Sequence, residues 1–317
     1  MNKLFSEGRA DALALAGLIL MATGWGSTFF VIKDILDRLD AADLLGVRFT
    51  VTALVLAAGL APQLRRLDAR CWRQGLAMGL LFSTGQLLQT YGLAYTSASI
   101  SGFLSGLYVV LTPVMEALLL RARVGRRIWL AVALATIGLG VLTIAPGFGA
   151  AGFGVGEVLT LACSVAFAGH IVYTGRVSTP DRALRLSVVQ SFMIAACCLL
   201  AAIPGGIALP SNTGDWLVVG YLAIITGAAT IVLQVWAQAR VSPSRAAIIM
   251  ASEPIWAALF AILAGQEAFT ERTLVGGTAL VTAMLLASLP ARRIRAARGG
   301  YRARLPVSSG SAPQHAD

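Results

Sequence analysis

The sequence predicts an all-α integral membrane protein with ten transmembrane helices arranged as two inverted five-helix repeats. Of the 317 residues, 57% are hydrophobic and only 13% are charged, which leaves more apolar surface than a soluble domain can bury. The apolar residues form ten runs of spanning length, and the basic residues gather between alternate runs. The net charge of +10 therefore reflects topology and lipid headgroups, and no nucleic-acid partner is expected.

Helices are the predicted form of every run. The runs are continuous rather than alternating, and backbone groups in lipid must find hydrogen-bond partners within their own segment. The runs cover residues 12–32, 44–61, 74–94, 98–120, 128–145, 155–174, 186–204, 216–238, 244–264 and 273–290.

Lysine and arginine predict the orientation. With the N-terminus in the cytoplasm, 21 of the 25 basic residues fall in cytoplasmic segments and three fall outside, while Arg48 lies within a helix. Because cytoplasmic loops are enriched in Lys and Arg, both termini are expected in the cytoplasm of a multi-pass protein of the bacterial inner membrane.

The two halves of the chain resemble each other. A proline-centred helix recurs as LTPVMEALLL (residues 111–120) and SEPIWAALFA (residues 252–261). Five helices per half is an odd number, so the second copy must lie inverted in the bilayer. Such repeats are a recurring plan of secondary transporters, with the site near the bilayer midplane. The predicted repeats span residues 11–145 and 154–290, followed by a disordered, basic cytoplasmic tail at 291–317.

Polar side chains on the third, fourth and eighth runs are the first candidates for a binding site. On the fourth run they recur at steps of three and four and so share one helical face. Ser and Thr at this spacing also serve as ordinary helix-packing residues in membranes, and both interpretations stay open. The candidates on these runs are Gln86, Ser105, Tyr108, Thr112, Glu116, Thr230 and Gln234. For Glu116, near the cytoplasmic end of its run, we expect an ion pair with Arg121 or Arg123.

Glu253 is the candidate for the principal charged group of the site. It follows Ser244 by nine residues, which is about 14 Å along a helix and close to the midplane of a core about 30 Å thick. An ionisable group at this depth predicts either coupling to protons or binding of a substrate ammonium group, with a structural hydrogen bond as the alternative. Trp25 and Trp256 are further cavity candidates. Arg48 is a gating or structural candidate, by snorkelling to the interface or by pairing with Asp43 or Glu157.

Several motifs together give a family resemblance. They are WGSTFFVIK (25–33), RF (48–49), GLAYTSAS (92–99) and SPSRAAIIMASEP (242–254), with the proline of the fourth helix. The sequence resembles the EamA-type family of the drug/metabolite transporter superfamily over nearly all of residues 11–289. The resemblance implies a ten-helix carrier whose third, fourth, eighth and ninth helices line a central cavity. One departure is the RAR turn after the fourth helix, where such proteins commonly carry a Glu that the second half keeps at Glu267.

The predicted function is a secondary transporter of small metabolites such as amino acids, working by alternating access and most simply as an exporter. We expect no cofactor, no metal and no enzymatic activity, because the chain lacks metalloprotease and paired Asp-rich motifs. The expected partners are the small-molecule substrate, the lipid bilayer and protons as the coupling ion, with a homodimer left open. A membrane-embedded enzyme and a non-transporting structural membrane protein are the alternatives.

Overall fold

The computed structural model describes residues 2–32, 35, 38–96, 98–144, 154–263, 265 and 268–289. The regular structure of these residues is helical throughout, as the sequence predicts. The residues between the two predicted repeats (146–153) and the tail (291–317) lie outside the described residues, as does Glu267.

The described residues form the following helices in chain order. They are α1 Asn2–Ile32, α2 Ala41–Gly59, α3 Ala61–Leu64, α4 Ala69–Leu93, α5 Ala98–Gly106, α6 Tyr108–Leu119, α7 Arg126–Thr143, α8 Val155–Val177, α9 Ala183–Ala202, α10 Thr213–Ala223, α11 Thr230–Gln238, α12 Pro243–Met250, α13 Glu253–Leu263 and α14 Glu271–Ser288. A 3₁₀ turn (Ile203–Gly205) follows α9, and a π-helical turn (Ile224–Ala229) joins α10 to α11.

Eight helical stretches in the described part of the chain are long and apolar enough to cross a membrane. They are Ala10–Thr28, Ala41–Gly59, Ile100–Leu119, Arg126–Thr143, Val155–Val177, Ala183–Gly205, Thr213–Gln238 and Pro243–Leu263. The sequence predicts spans at α4 and α14 as well. These two helices carry more polar side chains and do not reach the same hydropathy, but α4 packs along α8 and α9, and α14 packs along α7.

The turns alternate between two ends of the bundle. At one end, which we call the arginine-rich end, Arg182 contacts Asp68 and Arg245 donates to the last carbonyls of α14. At the opposite end Arg38 pairs with Asp215 at 2.5 Å. Arg182 and Arg245 thus lie at one end of the bundle, and Arg38 lies at the other.

Three of the predicted continuous helices are interrupted. The fourth run breaks at Leu107, between α5 and α6, and the ninth breaks at Ala251 and Ser252, between α12 and α13. Pro254 explains the second break, because proline lacks an N–H and its ring clashes with the preceding helical turn. The eighth run contains the π-helical turn, a distortion that is frequently found at functional sites.

Small residues bring the helices of the two halves into close contact. On α4, a Cβ atom added at Gly79 would lie only 2.5 Å from the carbonyl oxygen of Gln190 on α9. Such contacts let two helix backbones approach closely, which is a common way to pack helices in membranes. The helices that carry the candidate residues are therefore held against each other across the two halves.

Candidate functional site

Glu253 lies at the first position of α13, directly after the helix break. Its side chain is partly buried, and its carboxylate interacts electrostatically with Arg48 on α2 and Tyr108 on α6. Among the described residues, no hydrogen bond or ion pair within 4.0 Å is made by this carboxylate. An acidic group inside the bundle is thus left able to bind a proton, a cation or water.

Two tryptophans lie on either side of a close contact between α1 and α13. A Cβ added at Gly26 would lie 2.6 Å from the Cβ of Trp256 and 2.9 Å from the carbonyl oxygen of Glu253. Trp25 donates from Nε1 to the hydroxyl of Thr230 at 3.2 Å. The indole N–H of Trp256 is buried and has no partner among the described residues. A hydrogen-bond donor is therefore left without an acceptor within one helical turn of Glu253.

Gln234 adds an unpaired acceptor. It is 1% exposed, and its Nε2 is 3.7 Å from Sδ of Met250, while its Oε1 has no partner in the described part of the chain. Buried amide groups are normally hydrogen-bonded, so the unpaired acceptor oxygen of Gln234 indicates a place for water or a ligand. Gln234, Trp256 and Glu253 together offer an amide acceptor, an indole donor and a carboxylate.

Aromatic rings pack around Phe82 near these polar groups. The Phe82 ring centroid lies 6.4 Å from that of Trp25, 6.0 Å from Phe49, 5.9 Å from Phe167 and 5.4 Å from His170. His170 is buried, and its Nε2 is 3.3 Å from Oε1 of Gln190. The apolar side of the interior is thus aromatic, a surface suited to the non-polar part of an amphipathic ligand.

Arg48 is buried and binds the distorted part of the eighth run. Its Nε donates to the carbonyl of Leu222 at 3.3 Å, and its Nη2 donates to the carbonyl and hydroxyl of Thr226 at 3.1 and 3.0 Å. Thr52, one turn further along α2, donates to the carbonyl of Ala223 at 2.9 Å. These contacts involve neither Asp43 nor Glu157, the two carboxylates that the sequence suggests as partners.

The remaining predicted residues of the third and fourth runs are arranged differently. Ser105 and Thr112 are buried, and their hydroxyls donate to carbonyls of their own helical segments, Gly102 at 3.2 Å and Tyr108 at 2.7 Å. Gln86 is partly buried on α4. The hydroxyls of Ser105 and Thr112 therefore have partners inside their own helices.

Glu116 lies apart from Glu253, at the arginine-rich end. Its Oε2 accepts a hydrogen bond from the backbone N–H of Ser244 at 2.9 Å and another from the Ser244 hydroxyl. The sequence suggests an ion pair with Arg121 or Arg123, whereas the structure gives Glu116 a helix N-terminus as its partner. Glu116 thus lies in a different region of the bundle from Thr230 and Glu253.

Sequence reasoning did not single out Gly26, Thr52 or Ser244 as functional residues. Gly26 stands inside the WGSTFFVIK motif, and that motif was the signal that could have found it. Ser244 stands inside the motif SPSRAAIIMASEP (242–254), but that motif does not indicate Glu116 as its partner. Thr52 carries no comparable signal, because its partner is far away in the sequence. Within the described residues, no group of three or more His, Cys, Asp or Glu side chains could hold a metal ion.

Comparison with known proteins agrees with this architecture. An "Uncharacterized transporter" of Archaeoglobus fulgidus is 30% identical over 284 residues, covering 90% of this chain and 88% of the relative. The "Uncharacterized inner membrane transporter YedA" of Escherichia coli is 26% identical, covering 84% and 87%. A crystal structure of a protein with 21% identity has the same fold, with a TM-score of 0.72 over 90% of this chain and 99% of the other.

The model of the EamA-like transporter family matches residues 12–144 and 154–289, one match for each half. This confirms both the family resemblance and the division into two repeats. The chain therefore belongs to the EamA-like transporter family and is a membrane transporter.

Proposed function

We propose that this membrane transporter is a secondary carrier that moves a small polar or amphipathic metabolite by exposing one central site to each side in turn. The observation that carries the proposal is the Glu253 carboxylate, which lies inside the bundle at a helix break without a hydrogen-bond partner among the described residues. A transporter needs a site at which a polar group can be bound and released inside the membrane, and discontinuous helices supply such sites.

The proposed architecture has ten spans in two inverted repeats, with α4 and α14 completing the eight strongly apolar stretches. Two matched segments of similar length support the repeats. The positions of the helix breaks support them as well, since α5–α6 and α12–α13 each carry the recurring proline. The Lys and Arg asymmetry supports placing the arginine-rich end and both termini in the cytoplasm.

The proposed substrate carries an ammonium group and an apolar part, as amino acids and related amines do. Glu253 would bind the ammonium group, and Trp25, Tyr108 and Phe82 would contact the apolar part. Because Arg48 is within electrostatic range of Glu253, a carboxylate on the substrate is also tolerated. We propose export, coupled to protons that compete with the substrate for Glu253.

Counterflow in liposomes tests this function. Vesicles containing the purified protein are loaded with one unlabelled amino acid or amine at millimolar concentration and diluted into the same labelled compound. Saturable accumulation of label that protein-free vesicles lack is the expected result for at least one compound of the panel. Absence of counterflow for amino acids, polyamines and aromatic amines alike would reject the proposed substrate class.

The enzyme alternative is separated from transport by removing the sealed compartment. A carrier in detergent has no gradient to dissipate, so a panel compound should be recovered unchanged after incubation with solubilised protein. Chemical turnover in detergent would instead favour a membrane-embedded enzyme.

A further inference from the structure

Polar groups are also buried away from Glu253, at the arginine-rich end. Glu116 at the end of α6 accepts two hydrogen bonds from Ser244, the second residue of α12. The backbone N–H groups at a helix start have no partner within the helix, and a carboxylate placed there stabilises it. This contact therefore fastens the start of α12, in the second repeat, to α6 in the first.

Three buried oxygens at the same end have no partner in the described part of the chain. They are Oγ1 of Thr174, Oγ of Ser178 and Oε1 of Gln238. The exposed fractions of these residues are 0%, 7% and 1%. An unpaired buried oxygen is costly, so three of them in one region require an explanation.

Two hydrogen bonds relate the residues that carry these oxygens. Gln238 donates from Nε2 to the carbonyl of Ile171 at 3.0 Å, which fixes its amide group against α8. Thr174 follows Ile171 by three residues on α8, and Ser178, the C-cap residue of α8, donates from its backbone N–H to the Thr174 carbonyl at 2.9 Å. The unpaired oxygens therefore belong to neighbouring residues where the end of α8 meets the end of α11.

This region adjoins the contact made by Glu116. A Cβ added at Gly175, directly after Thr174, would lie 2.7 Å from Cγ of Pro243, so α8 touches the first residue of α12. Ser244, which binds Glu116, is the next residue. Moving the start of α12 away from α8 would break the Glu116 contact and, at the same time, open the region around Thr174, Ser178 and Gln238.

We propose that Thr174, Ser178 and Gln238 form a second polar site in the transport path, closed in this structure by the Glu116–Ser244 contact. The inference rests on the proposed carrier function and extends it to the cytoplasmic side. When α12 moves, water and the ammonium or hydroxyl donors of the transported molecule supply the missing hydrogen bonds. Anions are disfavoured there, because Glu116 borders the site.

Cysteine labelling tests the site without requiring transport. In a chain whose four native cysteines are replaced by alanine, Thr174→Cys is exposed to a membrane-impermeant thiol reagent from the arginine-rich side of sealed vesicles. Slow labelling is expected while Glu116 is present. In Glu116→Ala the labelling rate should rise about tenfold, because the loss of a helix N-cap contact is worth on the order of one power of ten in an equilibrium constant. Ser244→Ala, which keeps the backbone donor, should give a smaller increase.

Two controls make the result specific. Glu157→Ala removes the carboxylate that accepts from Thr96 at the opposite end of α8, and it should leave labelling of Thr174→Cys unchanged. Val165→Cys, on an exposed face of the same helix, should stay unreactive toward the charged reagent in the bilayer. If Glu116→Ala does not fold, Ser244→Ala carries the test.

Two results would overturn the second site: equal labelling of Thr174→Cys with and without the Glu116 contact, or no labelling of a preparation that transports. Either result would show that the three oxygens only pack against other helices and do not meet water. A preparation that transports none of the panel compounds but shows Glu116-dependent labelling would contradict the proposed function and support the site.

Discussion

Arg48 binds both the carbonyl and the hydroxyl of Thr226, at 3.1 and 3.0 Å, and so connects α2 of the first repeat to the π-helical turn of the second. A π-helical turn shifts the hydrogen-bonding register and leaves carbonyls in need of donors. Arg48 and Thr52 supply such donors to Leu222, Ala223 and Thr226. The charge inside the bilayer is thereby surrounded by backbone dipoles, and the turn that precedes Thr230 and Gln234 is fixed in place.

Replacing Arg48 should loosen this turn. Arg48→Met removes the guanidinium donor from the Leu222 and Thr226 carbonyls, which then keep the hydroxyl donors of Thr226 and Thr230. Arg48→Lys keeps the charge but loses the planar fork that reaches both acceptors. We expect transport to fall about tenfold or more in both variants, since hydrogen bonds to a charged group are worth about 1.5–3 kcal/mol. Hydrogen exchange of the amides of residues 224–230 should accelerate in parallel.

Thr52→Val is the matched control for Arg48, because it keeps the shape but removes a neutral hydroxyl that lies 2.9 Å from the carbonyl oxygens of both Arg48 and Ala223. Its effect should be smaller, on the order of 1 kcal/mol. Unchanged exchange at residues 224–230 in Arg48→Met would mean that Arg48 does not hold the turn.

Gly26→Ala tests the contact between α1 and α13. The added methyl group would lie 2.6 Å from the Cβ of Trp256 and 2.9 Å from the backbone nitrogen of Ala257. Relieving these contacts requires a shift of the backbone, which is energetically costly. Overpacking of this kind costs about 1–3 kcal/mol, so the thermal unfolding temperature in detergent should fall and transport should slow. In Gly277→Ala, where an added Cβ meets nothing within 4 Å, stability should be equal or higher by up to about 1 kcal/mol. Equal melting of the two variants would contradict the close contact.

Asp68 should give the fold a pH-dependent contribution outside the membrane. It caps α4 by accepting from the Cys71 N–H at 2.6 Å, and this bond, followed by the nearby Arg182 guanidinium, lowers the pKa of Asp68. Because the pKa is lower in the folded than in the unfolded state, the stabilisation is complete above about pH 3.9 and is lost as the pH falls through the folded-state pKa.

Thermal unfolding in detergent at pH 7 and near pH 3 measures this contribution. Asp68→Ala should melt earlier than the wild type at pH 7, and the difference should shrink near pH 3. Asp68→Asn keeps a capping oxygen that does not titrate and should retain its advantage over Asp68→Ala at both pH values. A difference between wild type and Asp68→Ala that persists undiminished near pH 3 would rule out the ionised cap.

The orientation is testable by reporter fusions. A fluorescent protein fused after the last residue should be fluorescent, and alkaline phosphatase at the same place should be inactive, because the arginine-rich end is predicted to be cytoplasmic. Fusions after Asn212, in the turn between α9 and α10 at the opposite end, should give the reverse pattern. An active C-terminal phosphatase would invert every assignment of side.

The fold was predictable because its determinants are continuous in the sequence. Apolar runs depend on neighbours within one helix, and the helical stretches follow these runs closely. The interruptions of the helices were harder to predict. Pro254 marks the break between α12 and α13, but the π-helical turn is bonded to donors on Arg48 and Thr52, about 170 residues away in the sequence. For the same reason the place of Glu253 beside the helix-breaking Pro254 was visible in the sequence, but Ser244 as the partner of Glu116 was not.

Glu253 carries the central prediction of the transport mechanism. Glu253→Gln keeps the size of the side chain and its acceptor oxygen but removes ionisation. If the carboxylate binds the ammonium group and exchanges it for a proton, the variant should lose most net transport, by about a hundredfold or more, and the remaining rate should no longer depend on pH between 5 and 8. A buried hydrogen bond to a charged partner supports an effect of this size, since about 2.8 kcal/mol corresponds to a factor of one hundred.

Glu253→Asp and Glu157→Gln complete the experiment. Glu253→Asp keeps the charge on a shorter side chain, so it should transport more slowly than the wild type and retain the pH dependence. Glu157→Gln alters an acidic group near the arginine-poor end of α8, bonded to Thr96 and the Gly154 N–H, and should leave the pH dependence unchanged. Counterflow and net uptake are measured for all three variants at matched amounts of inserted protein. Wild-type rate and pH dependence in Glu253→Gln would mean that the group is a structural hydrogen-bonding residue, and the coupling site would then have to be sought elsewhere in the bundle.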